Sequence, residues 1–155
     1  MMRFGQTDIQ WMEQALDYAH QAKACQEVPI GAVVVHNDQV IAGAHNETLM
    51  RSDPTAHAEI LAIQRAAKVA QYERLDDCIL YVTLEPCMMC LGAVIEARLR
   101  CVKFAAYDQT MGQCSHRSDF LSLYPAAKEV SFIGGILAKQ SQALLQTFFQ
   151  EQRQR

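Results

Sequence analysis

The fold is decided by the stretch of residues 78–97, which reads CILYVTLEPCMMCLGAVIEA. Residues 78–82 form an apolar run that is typical of a strand buried on both faces. Pro86 follows at a point where a helix can begin, because the first residues of a helix have no intrahelical partner for their backbone nitrogen. The stretch therefore predicts a buried strand that leads directly into a helix covering residues 87 to about 97.

Strands and helices alternate in the same way on both sides of this unit. Asp8 and Thr55 are expected to be the N-caps of helices at residues 8–24 and 55–69. The remaining predicted elements are a hairpin with strands at 31–35 and 40–42, a polar loop at 45–55, a strand at 101–106, a polar loop at 107–118, a short helical piece at 120–123, a strand at 130–133 and a last helix after Gly134-Gly135. This order predicts an α/β fold with a five-stranded mixed sheet and helices on both faces, and the length suits a single domain covering residues 1–155.

Composition excludes several classes of protein. With 50% hydrophobic residues and a net charge of −3, the chain is not intrinsically disordered. No apolar run reaches the roughly 18 residues of a membrane span. A pI near 5.9 argues against nucleic-acid binding by whole-molecule charge. The charge is uneven, however: residues 1–77 carry 6 Lys+Arg and 11 Asp+Glu, a net of −5, whereas residues 78–155 carry 8 and 6, a net of +2. A local basic surface for an RNA backbone and an ordinary solvated surface both stay open.

The N-terminal residues do not resemble a secretory signal peptide, and the chain contains six cysteines. Cysteines in a reducing compartment are more often metal ligands, catalysts or core residues than disulfide partners. We therefore expect a cytoplasmic protein. Only Cys87 and Cys90 are close in sequence, and no role is assigned to Cys114 in the later polar loop.

Two predicted helix starts carry reactive side chains. His57 and Glu59 lie at one of them, and Cys87 and Cys90 at the other, where a three-residue spacing puts both sulfurs on one helical face. The helix N-terminus favours thiolates. Two thiolates and one imidazole make three zinc ligands, which leaves a position for water, and Glu59 is placed to act as its base. Taken alone, the Cys-x-x-Cys could be a redox pair and the His-Ala-Glu an ordinary helix segment.

The combination of His-x-Glu with Pro-Cys-x-x-Cys is the signature of zinc-dependent nucleobase deaminases. The chain resembles the cytidine deaminase superfamily, and within it the bacterial tRNA-specific adenosine deaminases, over nearly its whole length. The resemblance is densest in residues 27–33, 53–60 and 80–90 and is also present in residues 135–149. It implies a three-layer cytidine-deaminase-like fold and a homodimer in which the partner completes each substrate groove.

The resemblance also implies roles for individual residues. His57, Cys87 and Cys90 would hold one Zn²⁺ per subunit, and Glu59 would be the catalytic proton shuttle. The substrate-binding residues would be Asn46, which hydrogen-bonds the target base, and Val28 and Leu84, which form walls of the pocket. The implied reaction is the hydrolysis of adenosine to inosine at the wobble position of a tRNA anticodon loop, with zinc hydroxide attacking C6 and Glu59 moving the protons.

One loop departs from the family pattern. Where the family has Asp-x-Lys-Thr-Gly-Ala, this chain reads DQTMGQC over residues 108–114, without the lysine. Asp108 could accept a hydrogen bond from a ribose hydroxyl or cap a turn. Residues 76–81 and 89–93 also resemble guanine deaminases of the same superfamily. Deamination of a free nucleobase such as guanine, and a zinc-stabilised RNA-binding module without activity, are therefore the alternatives, and Glu59 argues against the second.

Overall fold

The computed structural model describes residues 4–112, 125 and 129–154 and contains a five-stranded mixed sheet. The strand order is β2-β1-β3-β4-β5. β1 pairs antiparallel with β2 and β3, whereas β3, β4 and β5 are parallel to one another. The strands are β1 (Gly31–His36), β2 (Gln39–His45), β3 (Ile79–Leu84), β4 (Cys101–Ala106) and β5 (Ser131–Gly134).

Helices cover both faces of the sheet, so the three-layer α/β prediction is confirmed. α3 and α4 share one apolar core with the sheet, while α1 and α5 lie on the other side. None of the helices in the described part of the chain is long and apolar enough to span a membrane. The helices are α1 (Gln6–Ala24), α2 (Thr48–Arg51), α3 (Ala58–Ala70), α4 (Met88–Glu96) and α5 (Ala138–Arg153).

The central strand β1 is buried on both faces, as its sequence predicts. Val33 and Val35 pack with residues of α1, whereas Ala32 and Val34 pack with residues of α3. This alternation follows from the two-residue period of a strand. Gly31 allows α1 to approach closely, because a Cβ at this position would lie 2.0 Å from the carbonyl oxygen of Ala15.

Both predicted N-caps are wrong. α1 begins at Gln6 after Gly5, and Asp8 lies in its first turn, where it accepts hydrogen bonds from Lys103 Nζ (2.6 Å) and the Tyr81 hydroxyl (2.8 Å). The carboxylate thus has partners in the sheet in addition to the backbone of the N-cap residue Gly5.

α3 begins at Ala58, three residues after Thr55. The Thr55 backbone N–H and hydroxyl both donate to Asp53 Oδ1, at 2.8 Å and 2.7 Å, so Thr55 belongs to an Asp-initiated turn that precedes the helix. The loop expected at residues 45–55 also contains α2. The predicted piece at residues 120–123 and Cys114 lie outside the described residues.

Candidate active site

The two helices that carry the candidate residues begin next to each other at one end of the sheet. α4 starts directly after the carboxyl end of β3, and α3 starts after the loop that follows β2. His57 is the N-cap residue of α3 and Cys87 is the N-cap residue of α4. Ligands of α/β sheets bind where strands end and helices begin, so the arrangement places reactive side chains in the expected region.

The structure brings together the three residues that the sequence predicts as metal ligands. His57 Nδ1 lies 3.8 Å from Cys87 Sγ and 3.5 Å from Cys90 Sγ. One ligand atom from each of the three residues lies within 4.8 Å of the others. Cys90 is buried, whereas His57 and Cys87 are half-buried, so the group can be reached from one side.

Glu59 lies in the first turn of α3 and is 4% exposed. Burial raises the pKa of its carboxyl to about 7, and the charge of His57 opposes that shift. Its Oε2 atom is buried and has no hydrogen-bond partner in the described part of the chain. A buried polar atom without a partner is costly, and such atoms in native proteins mark a place for a water, an ion or a substrate.

The two thiols do not ionise alike. The hydrogen bond from Cys90, together with that from His57, lowers the pKa of Cys87 to about 4. The same hydrogen bond to Cys87 raises the pKa of Cys90, as do burial and the nearby charge of Glu59. The hydrogen bond between His57 and Cys87 likewise raises the pKa of His57. Two adjacent thiolates repel each other, and a bound cation is what would stabilise both.

The donor set fits zinc. Zinc binds imidazole nitrogen and thiolate sulfur, and sites with three protein ligands keep one position open for water or substrate. Glu59, with its unpartnered oxygen beside these donors, is the fourth polar group of the cluster without being needed as a ligand.

Asn46 is buried, and its role is broader than the sequence predicts. Its Oδ1 atom accepts a hydrogen bond from the Ala58 backbone N–H at 2.8 Å, and its own backbone N–H donates to the Ile30 carbonyl at 3.1 Å. The Asn46 side chain therefore satisfies a backbone donor at the start of α3, the helix that begins with His57 and Glu59. The contact of Asn46 with a target base stays a prediction.

The other predicted substrate residues lie on segments around this cluster. Leu84 ends β3 opposite Ala106 of β4 and is half-buried, and so is Val28, whose carbonyl accepts the Ile30 N–H. No described interaction brings either residue into contact with the candidate ligands, and their roles as pocket walls stay predictions.

Asp108 caps a turn. Its Oδ1 atom accepts hydrogen bonds from Thr110 N (2.9 Å), Thr110 Oγ1 (2.8 Å) and Met111 N (3.1 Å). Burial would raise the pKa of Asp108, but these bonds lower it. The structure thus shows the turn-capping role, and the contact with a ribose stays a prediction.

No role is predicted from the sequence for three buried carboxylates near the site. Glu27 and Glu85 are 0% and 2% exposed, and Glu47 is 6% exposed. Glu85 Oε2 accepts the Asp108 N–H at 3.1 Å and thereby ties the end of β3 to the loop after β4. Charged residues are mostly solvent-exposed, so sequence alone favours a surface position for each of them.

Comparison with known proteins gives one family. The family model of the MafB19-like deaminases matches residues 6–153. The tRNA-specific adenosine deaminase of Haemophilus influenzae is 40% identical over 148 residues, which is 95% of this chain and 86% of that protein. A solved structure from studies of A-to-I editing by tRNA:A34 deaminases at the wobble position superposes with a TM-score of 0.82 at 39% identity, covering 88% of this chain and 99% of that one. The guanine deaminase of Bacillus subtilis is 43% identical with a TM-score of 0.61, but covers only 63% of each chain.

Proposed function

The chain belongs to the family of MafB19-like deaminases, and we propose that it hydrolyses adenosine to inosine in the anticodon loop of a tRNA, at the wobble position. It is a deaminase, and thus a hydrolase that acts on a C–N bond. The observation that carries the proposal is the convergence of His57, Cys87 and Cys90 beside the unpartnered carboxylate oxygen of Glu59. The 40% identity with a tRNA-specific adenosine deaminase extends over 95% of the chain and supports the choice of substrate.

His57, Cys87 and Cys90 would hold the zinc ion. When bound there, zinc would supply a Lewis acid that makes a water molecule nucleophilic near neutral pH. Cys87 is prepared for this role because hydrogen bonds from Cys90 and His57 already favour its thiolate. The N-terminus of α4 adds a favourable partial positive charge.

Glu59 would move the protons. Its carboxylate takes a proton from the attacking water and delivers it to the ring nitrogen N1 of adenine as C6 becomes tetrahedral. A second transfer through Glu59 protonates the amino group, which leaves as ammonia while the C6–N bond breaks and the carbonyl of hypoxanthine forms. The Ala58 N–H held by Asn46 fixes the first turn of α3, and so fixes where the Glu59 carboxylate lies.

An anticodon loop suits such a site because its bases are already unpaired, so moving one base into a pocket costs little.

We also propose that the protein acts as a homodimer in the cytoplasm. The exposed apolar side chains Met88 and Met89 at the start of α4 support an interface close to the site. The molar mass in solution, measured by light scattering, tests the dimer.

Guanine is the second candidate substrate, and it is favoured by the 43% identity with a guanine deaminase and by the absent lysine in the loop after β4. Purified zinc-loaded protein should be offered an anticodon stem-loop RNA, guanine, cytosine and cytidine, with ammonia release and inosine formation as the readouts. We expect inosine in the RNA. Ammonia from guanine with no change in the RNA would refute the proposed substrate.

The Glu59→Ala variant tests the proposed proton-transfer mechanism. It should keep its zinc and its fold, because Glu59 is not among the ligands, and lose turnover by about 10²-fold or more. Metal content and circular dichroism check the first point. A Glu59→Ala protein that turns over at the original rate would contradict the proton-transfer role.

A further inference from the structure

The short helix α2 borders the candidate site but has no core of its own. It has four residues, none of them buried, and a helix of this length is not stable by itself in water. Its position must therefore come from bonds to other segments. The most deeply buried of these partners is Glu27, which is 0% exposed.

Both carboxylate oxygens of Glu27 accept hydrogen bonds from α2. Oε1 accepts the backbone N–H of Met50 at 2.7 Å, and Oε2 accepts the Thr48 hydroxyl at 3.1 Å. Both donors are uncharged, and removing a carboxylate from water is expensive unless its hydrogen bonds are satisfied. This arrangement adds to stability only as long as α2 stays in place, so Glu27 and α2 fix one another.

Residues on the other side of α2 are held as well. Glu47 is buried and accepts from Arg65 at 2.9 Å and from Arg51, and its backbone N–H donates to the Ala56 carbonyl at 3.0 Å. The last of these bonds joins the start of α2 to the residue before His57. α2 thus lies between Asn46, which precedes it by two residues, and the loop that leads into the metal ligands.

α2 points two large apolar side chains into solvent. Leu49 is 71% exposed and Met50 is 60% exposed. Exposed apolar side chains held on a fixed backbone beside an active site are suited to contact an apolar part of a substrate. In an RNA loop the unstacked bases provide such a surface. Every base has an apolar face, so contact with that face does not depend on the RNA sequence.

We propose that Glu27 is a positioning residue that holds α2 so that Leu49 and Met50 contact the bases flanking the target adenosine. The proposal rests on the proposed function, because it needs an RNA substrate. Glu27 itself touches no reacting atom, so its loss should weaken RNA binding and leave the chemical step intact.

Steady-state kinetics on the anticodon stem-loop separate this role from a merely structural one. In Glu27→Leu the KM for RNA should rise about tenfold, equivalent to roughly 1.4 kcal/mol, while kcat stays within about twofold. Glu27→Gln should stay near the original KM, because its amide oxygen can accept from Met50 and its amide nitrogen can donate to the Thr48 oxygen. Thr48→Val, which removes one of the two bonds, should fall between them.

The exposed residues supply a test that does not disturb folding. The Leu49→Ala/Met50→Ala double variant should raise KM to the same extent as Glu27→Leu, and the combination of all three should add little more. Val69→Ala/Tyr72→Ala is the matched control, because these side chains are 62% and 57% exposed around the other end of α3. It should leave KM unchanged.

Asp8→Asn is the control for lost stability. It disturbs another carboxylate with two described side-chain donors, on the opposite face of the sheet, and should lower the melting temperature without altering KM. An unchanged KM in Glu27→Leu or in the Leu49→Ala/Met50→Ala protein would overturn the proposal. So would a fall in kcat alone.

Hydrogen exchange distinguishes failure of this proposal from failure of the proposed function. The Met50 amide should be protected in the original protein and in Glu27→Gln, and lose protection in Glu27→Leu. If the unsubstituted protein does not deaminate RNA at all, the proposed function and the RNA contact both fail, while the exchange of Met50 still decides whether Glu27 holds α2. Equal exchange of the Met50 amide in all three proteins would refute the statement that Glu27 holds α2 in place.

Discussion

Substitution of Asn46 separates its two roles, the one that the structure shows and the one that resemblance implies. Its Oδ1 atom accepts the Ala58 N–H at 2.8 Å, and Ala58 is 0% exposed, so bulk water does not reach that N–H. In Asn46→Ala the N–H is left without a partner, at a cost of about 2 kcal/mol. For a protein of this length we expect the melting temperature to fall by roughly 4–8 °C.

Asn46→Asp keeps the acceptor and removes the amide donor. Its carboxylate can accept the Ala58 N–H and lies at a helix N-terminus, where negative charge is favourable, so its melting temperature should stay close to the original. If the Asn46 amide donates to the target base, the aspartate variant loses that hydrogen bond. A carboxylate oxygen of the aspartate then faces the acceptor atom of the base, and the two repel each other. Its kcat/KM on the RNA stem-loop should then fall about 100-fold.

The assay is thermal unfolding of the zinc-loaded variants beside the initial rate of inosine formation, with zinc content measured in each to show that the added charge leaves the ligands occupied. An Asn46→Ala protein that melts with the original would refute the capping role. An Asn46→Asp protein with undiminished kcat/KM would refute the contact with the base. The two outcomes are independent, because they concern different atoms of one side chain.

Three further perturbations test the metal and the packing. Treatment with a strong zinc chelator should abolish turnover and lower the melting temperature, and added Zn²⁺ should restore both, because a metal that binds only the folded state stabilises it; a chelated enzyme with full activity would contradict the metal site. Gly31→Ala should lower the free energy of unfolding in urea by about 3 kcal/mol, since its Cβ would lie 2.0 Å from the Ala15 oxygen. Gly92→Ala is the control, and it should be neutral or stabilising, because a Cβ there meets nothing within 4 Å. Equal unfolding midpoints for the two variants would be inconsistent with the packing of α1 on β1. Burial would raise the pKa of Asp8, but hydrogen bonds from Lys103 and Tyr81 lower it, so Asp8 contributes stability above its unfolded pKa of about 3.9 and loses it as pH falls through the folded value. The destabilisation by Asp8→Asn should therefore be about 2 kcal/mol at pH 7 and shrink below about pH 4, and a pH-independent difference would exclude this ionic origin.

Sequence reasoning succeeds where a feature is local. β4 has the predicted bounds Cys101–Ala106, because an apolar run between polar segments specifies a buried strand without reference to its partners. The convergence of His57 with the Cys87 pair could also be predicted, since both follow from two motifs that begin helices on one side of a sheet.

It fails where a polar side chain has a distant partner. Asp8 fits the pattern of an N-cap, yet its partner is Lys103, 95 residues away. Glu27 fits the pattern of a solvent-exposed charge, yet its oxygens bind residues 48 and 50 across the fold. Capping preferences rest on weak local energies of about 1 kcal/mol, and tertiary hydrogen bonds of the same size decide between them.

The first backbone N–H groups of α3 and α4 have different kinds of hydrogen-bond partner. α3 and α4 both begin with a candidate ligand at the N-cap position, and neither ligand makes a side-chain capping hydrogen bond. At α4 the backbone N–H of Cys90 contributes to the lowered pKa of Cys87 at the helix N-terminus. An imidazole at the start of α3 offers no such anion, so the Ala58 N–H is satisfied from outside the helix by Asn46. The Cys87 thiolate therefore depends on its own helix, whereas the start of α3, which carries His57 and Glu59, depends on the Asn46 side chain. Loss of the Asn46 side chain should disturb His57 and Glu59 before it disturbs the Cys87 thiolate, whereas changes at Glu27, which holds α2, should alter substrate binding alone.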